Sequence, residues 1–249
     1  MTDPTAAQLA LLGGAAFAAG AVNAVAGGGS LISFPALLAV GYPSVAANVT
    51  NMIAVTPGYA SGSTAYRAEL RGQGRRVRDL GIVAAAGTAA GTAILLIAPA
   101  GAFDAVVPFL VLLACALLAA QPVLARVVTR RHHAGLGLRA AVFAGAIYGG
   151  YFGAGLGIML LAILEAFLED DLQRLNALKG LLSLVVALVS ASLVAIFGPV
   201  AWGPALLMAA ASVAGGWIGA RVARRLPTAV LRWGIVAFGV AVAVALLLS

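Results

Sequence analysis

The sequence predicts an all-α, polytopic membrane protein made of two inverted-topology repeats, each a glycine-broken helical hairpin followed by three transmembrane helices. Three observations carry that expectation. The 249 residues are 63% hydrophobic and only 9% charged, with a mean hydropathy of +1.07. Two of the apolar stretches are interrupted by glycine clusters near their middles. Of the fifteen Lys and Arg residues, all but Arg174 and Lys179 fall in three short segments.

The composition excludes several classes. Soluble domains carry roughly 25% charged residues, and a chain of this size cannot fold around one core while showing water so little charge. Its solvent must be membrane lipid. A transmembrane barrel would show segments of about 10 residues with alternating polarity, and none is visible. The net charge of +7 suggests no nucleic-acid partner, because a basic binding surface gathers its charge on one soluble face and here the arginines separate apolar runs. The one cysteine, Cys115, lies inside an apolar run, which leaves no disulfide framework and no cysteine-based metal site. No metal or cofactor is expected. Asp3 precedes the first apolar run and no Lys or Arg does, unlike a signal peptide, so this segment is expected to stay in the mature protein. Enzyme signatures are missing too. There is no G-x-S-x-G elbow and no H-E-x-x-H, and Gly27-Gly28-Gly29-Ser30 lacks the lysine of a P-loop.

Taken in order, the chain opens on an apolar stretch over 8–40 that contains Gly27-Gly28-Gly29-Ser30. Spans follow at 45–66, 78–98 and 103–124, each long enough at ~1.5 Å per residue to cross a ~30 Å hydrocarbon core. A basic segment at 126–137 then separates a first membrane repeat, 1–125, from a second, 138–249. The second opens on the stretch 138–168, which contains Gly153-Ala154-Gly155-Leu156-Gly157, and continues with spans at 173–197, 200–220 and 228–248. Glycine runs interrupt helices because they cost backbone entropy and offer no side chain to pack.

Charge placement gives the orientation. The clusters Arg67 to Arg78, Arg126 to Arg139 and Arg221 to Arg232 are cytoplasmic by the positive-inside rule, whereas the links near 99–103 and 198–200 carry no Lys or Arg. Between Arg139 and Arg221 the chain must cross an even number of times. The spans 173–197 and 200–220 supply two crossings, so 138–168 must enter and leave on one side. Arms of ~15 residues reach ~22 Å, past the midplane; two strongly tilted full spans satisfy the same parity. Applied to the first half, the argument puts residue 45 outside and both termini on the periplasmic side. Ala26-Gly27-Gly28-Gly29-Ser30-Leu31-Ile32 aligns with Phe152-Gly153-Ala154-Gly155-Leu156-Gly157-Ile158. After a two-residue insertion, Asn48-Val49-Thr50-Asn51 falls opposite Asn176-Ala177-Leu178-Lys179. Units with an odd number of full crossings are inverted with respect to each other, an organisation common among secondary transporters.

Unpaired backbone groups at the breaks survive only inside protein or beside a water-filled cavity. The breaks are therefore candidate substrate positions, built from Gly27, Gly28, Gly29 and Ser30 in one half and Gly153, Gly155 and Gly157 in the other. Half-helix N-termini favour an anion. Close helix packing is the competing explanation for such glycines, and it suffices for Gly215 and Gly219. Asn48 and Asn51 share one helical face, as do Asn176 and Lys179. Lys179 lies about a turn and a half inside its span, where a charge costs at least ~2.5 kcal/mol and ordinarily faces a cavity or a partner. It can offer its charge to an anion, snorkel to the cytoplasmic interface, or pair with Glu165 or Asp171. Asn23 and Tyr151 on the first arms can donate hydrogen bonds to substrate oxygens, while Tyr148 reads better as a core aromatic. Glu165 can carry a coupling proton if burial raises its affinity for one, although the acidic end Glu169-Asp170-Asp171 nearby favours a solvated position. His132 and His133 read as exposed loop residues.

The run Gly20-Ala21-Val22-Asn23-Ala24-Val25-Ala26-Gly27-Gly28-Gly29-Ser30-Leu31-Ile32-Ser33-Phe34-Pro35, with Gly41-Tyr42-Pro43 and Asn48-Val49-Thr50-Asn51 after it, resembles the TauE/SafE family of sulfite exporters. Gly153-Ala154-Gly155-Leu156-Gly157 and Leu175-Asn176-Ala177-Leu178-Lys179 are similar to that family's second repeat. The sequence departs at Leu161, which stands where Pro35 stands in the first half. The resemblance implies a bacterial inner-membrane permease for sulfur-containing anions such as sulfite or organosulfonates, moved outward. A proton or another coupling ion and a homo-oligomer are further partners compatible with it. The residues alone reach an anion permease. They leave open a passive anion channel, which needs a continuous polar lining, and a membrane scaffold that transports nothing.

Overall fold

A computed structural model describes residues 4–25, 28–64, 66–99, 101–127, 135–222 and 228–248. These residues form ten helices: α1 (Ala6–Val25), α2 (Ser30–Ala39), α3 (Ser44–Thr64), α4 (Gly74–Ile97), α5 (Ala102–Val127), α6 (Leu136–Tyr151), α7 (Leu156–Phe167), α8 (Leu172–Phe197), α9 (Trp202–Val222) and α10 (Thr228–Leu248). Gly28 and Gly29 lie between α1 and α2, and Gly153, Ala154 and Gly155 between α6 and α7. The second break turns through Gly153 and Gly155, whose φ angles of 82° and 75° lie in the left-handed region that a Cβ disfavours. Asp171 starts α8 as an N-cap, its carboxylate accepting the Gln173 N–H at 2.8 Å.

The hairpin arms are not the equal ~15-residue pieces that the sequence suggests. α1 has 20 residues and α2 has 10, while α6 has 16 and α7 has 12. The first break sits past the middle of the stretch 8–40, whereas the second, at Gly153 and Gly155, falls at the middle of 138–168. At ~1.5 Å per residue α1 reaches ~30 Å, a full crossing rather than a half-depth arm. Four described helices are long and apolar enough to cross a membrane: α1 over Ala6–Asn23, α4, α5 over Ala102–Ala120, and α8. α3 has span length, 21 residues, but carries Asn48, Thr50 and Asn51, all buried. It is an interior helix that hides its polar side chains among its neighbours.

Packing runs in pairs. α1 lies on α9 and α6 on α4; α3 lies on α9 and α8 on α4; α3 crosses α8, and α5 packs on α10. α2 folds back onto α1 and α3 as α7 does onto α6 and α8. The tightest crossings rest on missing side chains. A Cβ on Gly215 of α9 would run into the Phe17 carbonyl of α1, and one on Gly91 of α4 into the Ile147 carbonyl of α6, the close backbone approach that membrane helix pairs use. Ile82, Ile97, Phe109 and Leu206 are largely exposed on the outside of the bundle. In water that surface would be a large apolar patch; in a bilayer hydrocarbon solvates it.

Candidate functional site

Two clefts open along the crossing of α3 and α8. The first is lined by Lys179 and Asn176 of α8, Tyr59 and Ser63 of α3, Tyr66 beyond it, and Asn23 of α1. Lys179 is only 5% exposed. Among the described residues it has no ion-pair or hydrogen-bond partner, and the acids near it in sequence are committed elsewhere. Asp170 holds Arg76 at 2.5 Å and Arg174 at 2.8 Å, Asp171 caps α8, and Glu165 on α7 lines neither cleft. A buried ammonium without a counter-charge is costly.

Asn23 supplies a second donor beside it. Its Oδ1 accepts the Gly29 N–H at 2.7 Å, which fixes the amide orientation because only the oxygen can face a donor. The Nδ2 is left buried and unpartnered. Asn23 thus braces the first break and presents an N–H₂ in the same side chain. Room of about 20 Å³ remains in this cleft, enough for about one water molecule.

The second cleft is where the two breaks converge. Ser30 and Leu156, the first residues of α2 and α7, line it with Gly153, Asn51, Tyr59 and Ser183, around a volume of about 30 Å³. Among the described residues, none that line it is charged. Asn51 is 2% exposed, and its Oδ1 accepts the Ser33 hydroxyl at 2.5 Å. Ser183 is 1% exposed, and its hydroxyl has no partner.

The residues singled out from sequence therefore divide. Asn23, Asn176 and Lys179 meet in one cleft; Ser30, Asn51 and Gly153 meet in the other. Asn48 lies at neither. Its Nδ2 donates to the Tyr151 carbonyl at 2.9 Å, satisfying an end carbonyl of α6 that the helix itself cannot. The Tyr151 ring packs on Phe103 at 5.6 Å, away from both clefts. Gly28 faces Leu118 and Gly29 lies against the Ala19 backbone; Gly155 lies against Ala114, and Gly157 is buried in the first turn of α7. Gly27, His132 and His133 lie outside the described residues. Tyr148 braces the second break by donating its hydroxyl to the Ala154 carbonyl at 2.5 Å. The N–H groups of Gly29, Leu31 and Leu156 are engaged within the chain, so the unpartnered donors found in the clefts are side-chain groups.

Two residues escaped the sequence reading. Tyr59 lies two turns beyond Asn51 and Ser183 one turn beyond Lys179, on faces already marked by those residues. That spacing was the available signal.

A polytopic helical bundle with buried, unpartnered polar groups gathered at interior clefts is the architecture of a membrane transporter rather than of an enzyme. The chain belongs to the TauE/SafE sulfite exporter family, whose model matches residues 12–246. It is 29% identical over 219 residues to a "Probable membrane transporter protein" of Haemophilus influenzae, covering 86% of this chain and 84% of that one. It is 26% identical over 253 residues to a "Probable membrane transporter protein ORF9" of a Sinorhizobium species, covering 99% and 95%. No solved structure matches. The family is one of transporters, and the protein is a multi-pass membrane protein.

Proposed function

We propose that this protein is a secondary permease that moves a small sulfur-containing anion, sulfite or an organosulfonate, outward across the bacterial inner membrane. The observation that carries the anion is Lys179, buried in a cleft, without a counter-charge and beside the free amide of Asn23. The sulfur comes from the family to which the chain belongs.

The proposal includes two inverted repeats, α1–α5 and α6–α10. Supporting it, the separation that relates the break residues Gly29 and Gly155 also relates the helix ends Val25 and Tyr151 and the helix starts Ser30 and Leu156. The packing pairs exchange in the same way: α1 on α9 answers α6 on α4, and α3 on α9 answers α8 on α4. In this reading the arginine-rich turns face the cytoplasm, and the Lys179 cleft opens toward them because it lies at the C-terminal end of α3 and the N-terminal end of α8. Movement of one repeat against the other would carry the anion between faces.

The test is flux. Purified protein in liposomes preloaded with sulfite should release it with saturable kinetics that sulfate or thiosulfate can compete. Lys179→Ala should lower that flux by at least tenfold. Flux of the wild-type protein no faster than empty liposomes, for every anion tried, would overturn the proposal.

A further inference from the structure

We infer that the uncharged cleft at the two breaks is the repeat-related counterpart of the Lys179 cleft and a second station for the same anion, with Tyr59 between the two. The inference rests on the permease reading above.

The correspondence is residue by residue. At the separation relating the first residues of α3 and α8, Ser44 and Leu172, Asn51 corresponds to Lys179 and Met52 to Gly180. At the separation relating the ends of α1 and α6, Asn23 corresponds to Gly149. Lys179, Gly180 and Asn23 line the first cleft; Asn51, Met52 and Gly149 line the second. The same positions of the two repeats therefore build both clefts, and the second has exchanged the ammonium for an amide. Tyr59 lines both, so its side chain stands where an anion would leave one for the other.

The second cleft has its own mark of a ligand. The Ser183 hydroxyl is buried, unpartnered and on the cleft wall, with Asn51 on the facing helix lining the same cleft. A hydroxyl and an amide donate to anionic oxygens without binding them as tightly as an ammonium does. Such a station takes the anion from Lys179 and lets it go.

The experiment compares wild type, Ser183→Ala, Ser183→Thr and Lys179→Ala in liposomes and in thermal melts, with sulfite as the probe. Removing an unpartnered buried hydroxyl deletes a desolvated group that bonds to nothing. Ser183→Ala should therefore melt at or above the wild-type temperature and keep its sulfite-dependent melting shift, yet transport sulfite about tenfold more slowly. Ser183→Thr, which keeps the hydroxyl, should restore flux to within about twofold. Lys179→Ala should lose both the shift and the flux. Undiminished flux in Ser183→Ala overturns the second station while leaving the Lys179 site standing. A Ser183→Ala protein that melts lower or fails to fold overturns it as well, since the hydroxyl would then be structural. Absence of sulfite binding and flux in the wild type overturns the permease reading and, with it, this one.

Discussion

Lys179 is the residue on which the chemistry turns, and its isolation makes a stability prediction opposite to that for most buried positions. An uncompensated buried charge destabilises the fold, and replacing buried ion pairs by apolar groups often stabilises by about 1–4 kcal/mol. Lys179→Met should therefore raise the melting temperature of the ligand-free protein; a lower one would reveal a counter-charge. Asp170 behaves in the opposite sense. Burial alone would raise its carboxyl, but the Arg76 hydrogen bond, the Asp171 N–H and the two guanidinium charges outweigh burial and hold it below the ordinary carboxylate range. Its contribution is complete above the unfolded value of about 3.9 and is lost as pH falls through the lowered native one. Melts carried from neutral pH to well below the unfolded value of about 3.9 should show that loss, and Asp170→Asn should flatten the dependence. The place of Lys179 at an interior cleft was legible because an isolated lysine in an apolar span must be explained. Ser183 was not, because a serine in a membrane helix ordinarily satisfies itself on a carbonyl a turn back, as Ser190 does on Val186.

At the scale of elements, the breaks were legible and their consequences only partly so. Glycine runs mark where a helix stops, and the two clusters do end α1 and α6. The grouping of all polar candidates into one site failed to anticipate two clefts, because the division depends on where α3 crosses α8 and no local pattern encodes that crossing. The crossings themselves can be tested at glycines. A Cβ on Gly215 would meet the Phe17 carbonyl carbon at 2.7 Å, so Gly215→Ala should lose about 1–3 kcal/mol by forcing α1 and α9 apart. Gly13, also on α1, has nothing within 4 Å. Gly13→Ala should gain up to ~1 kcal/mol from helix propensity. Equal effects of the two substitutions, measured by melting in detergent, would contradict the close α1–α9 contact.

For the whole molecule, the proposed inverted arrangement determines which turns would share a face of the membrane. Under that proposal the α2–α3 turn and the α7–α8 turn are equivalent and should lie on opposite sides. In a Cys115→Ser background, Pro43→Cys should react with an impermeant thiol reagent from outside. Gln173→Cys and Arg71→Cys should react only after the membrane is opened, and labelling of Pro43→Cys and Gln173→Cys from the same side would contradict the inversion. The proposed topology rests on the charge distribution, since arginines avoid one set of links. The lengths of the hairpin arms were not readable, because α1 and α2 form one apolar run whose break is displaced toward its end. The most direct measurement of the central claim is sulfite-dependent thermal stability of the purified protein, with sulfate, thiosulfate, taurine and chloride for comparison and Lys179→Met beside the wild type. A ligand at ~100 times its dissociation constant stabilises by ~2.7 kcal/mol. The account predicts a melting shift of that order with a sulfur anion, abolished in Lys179→Met. A wild-type protein that shifts with none of these anions, or a Lys179→Met protein that shifts as the wild type does, would contradict it.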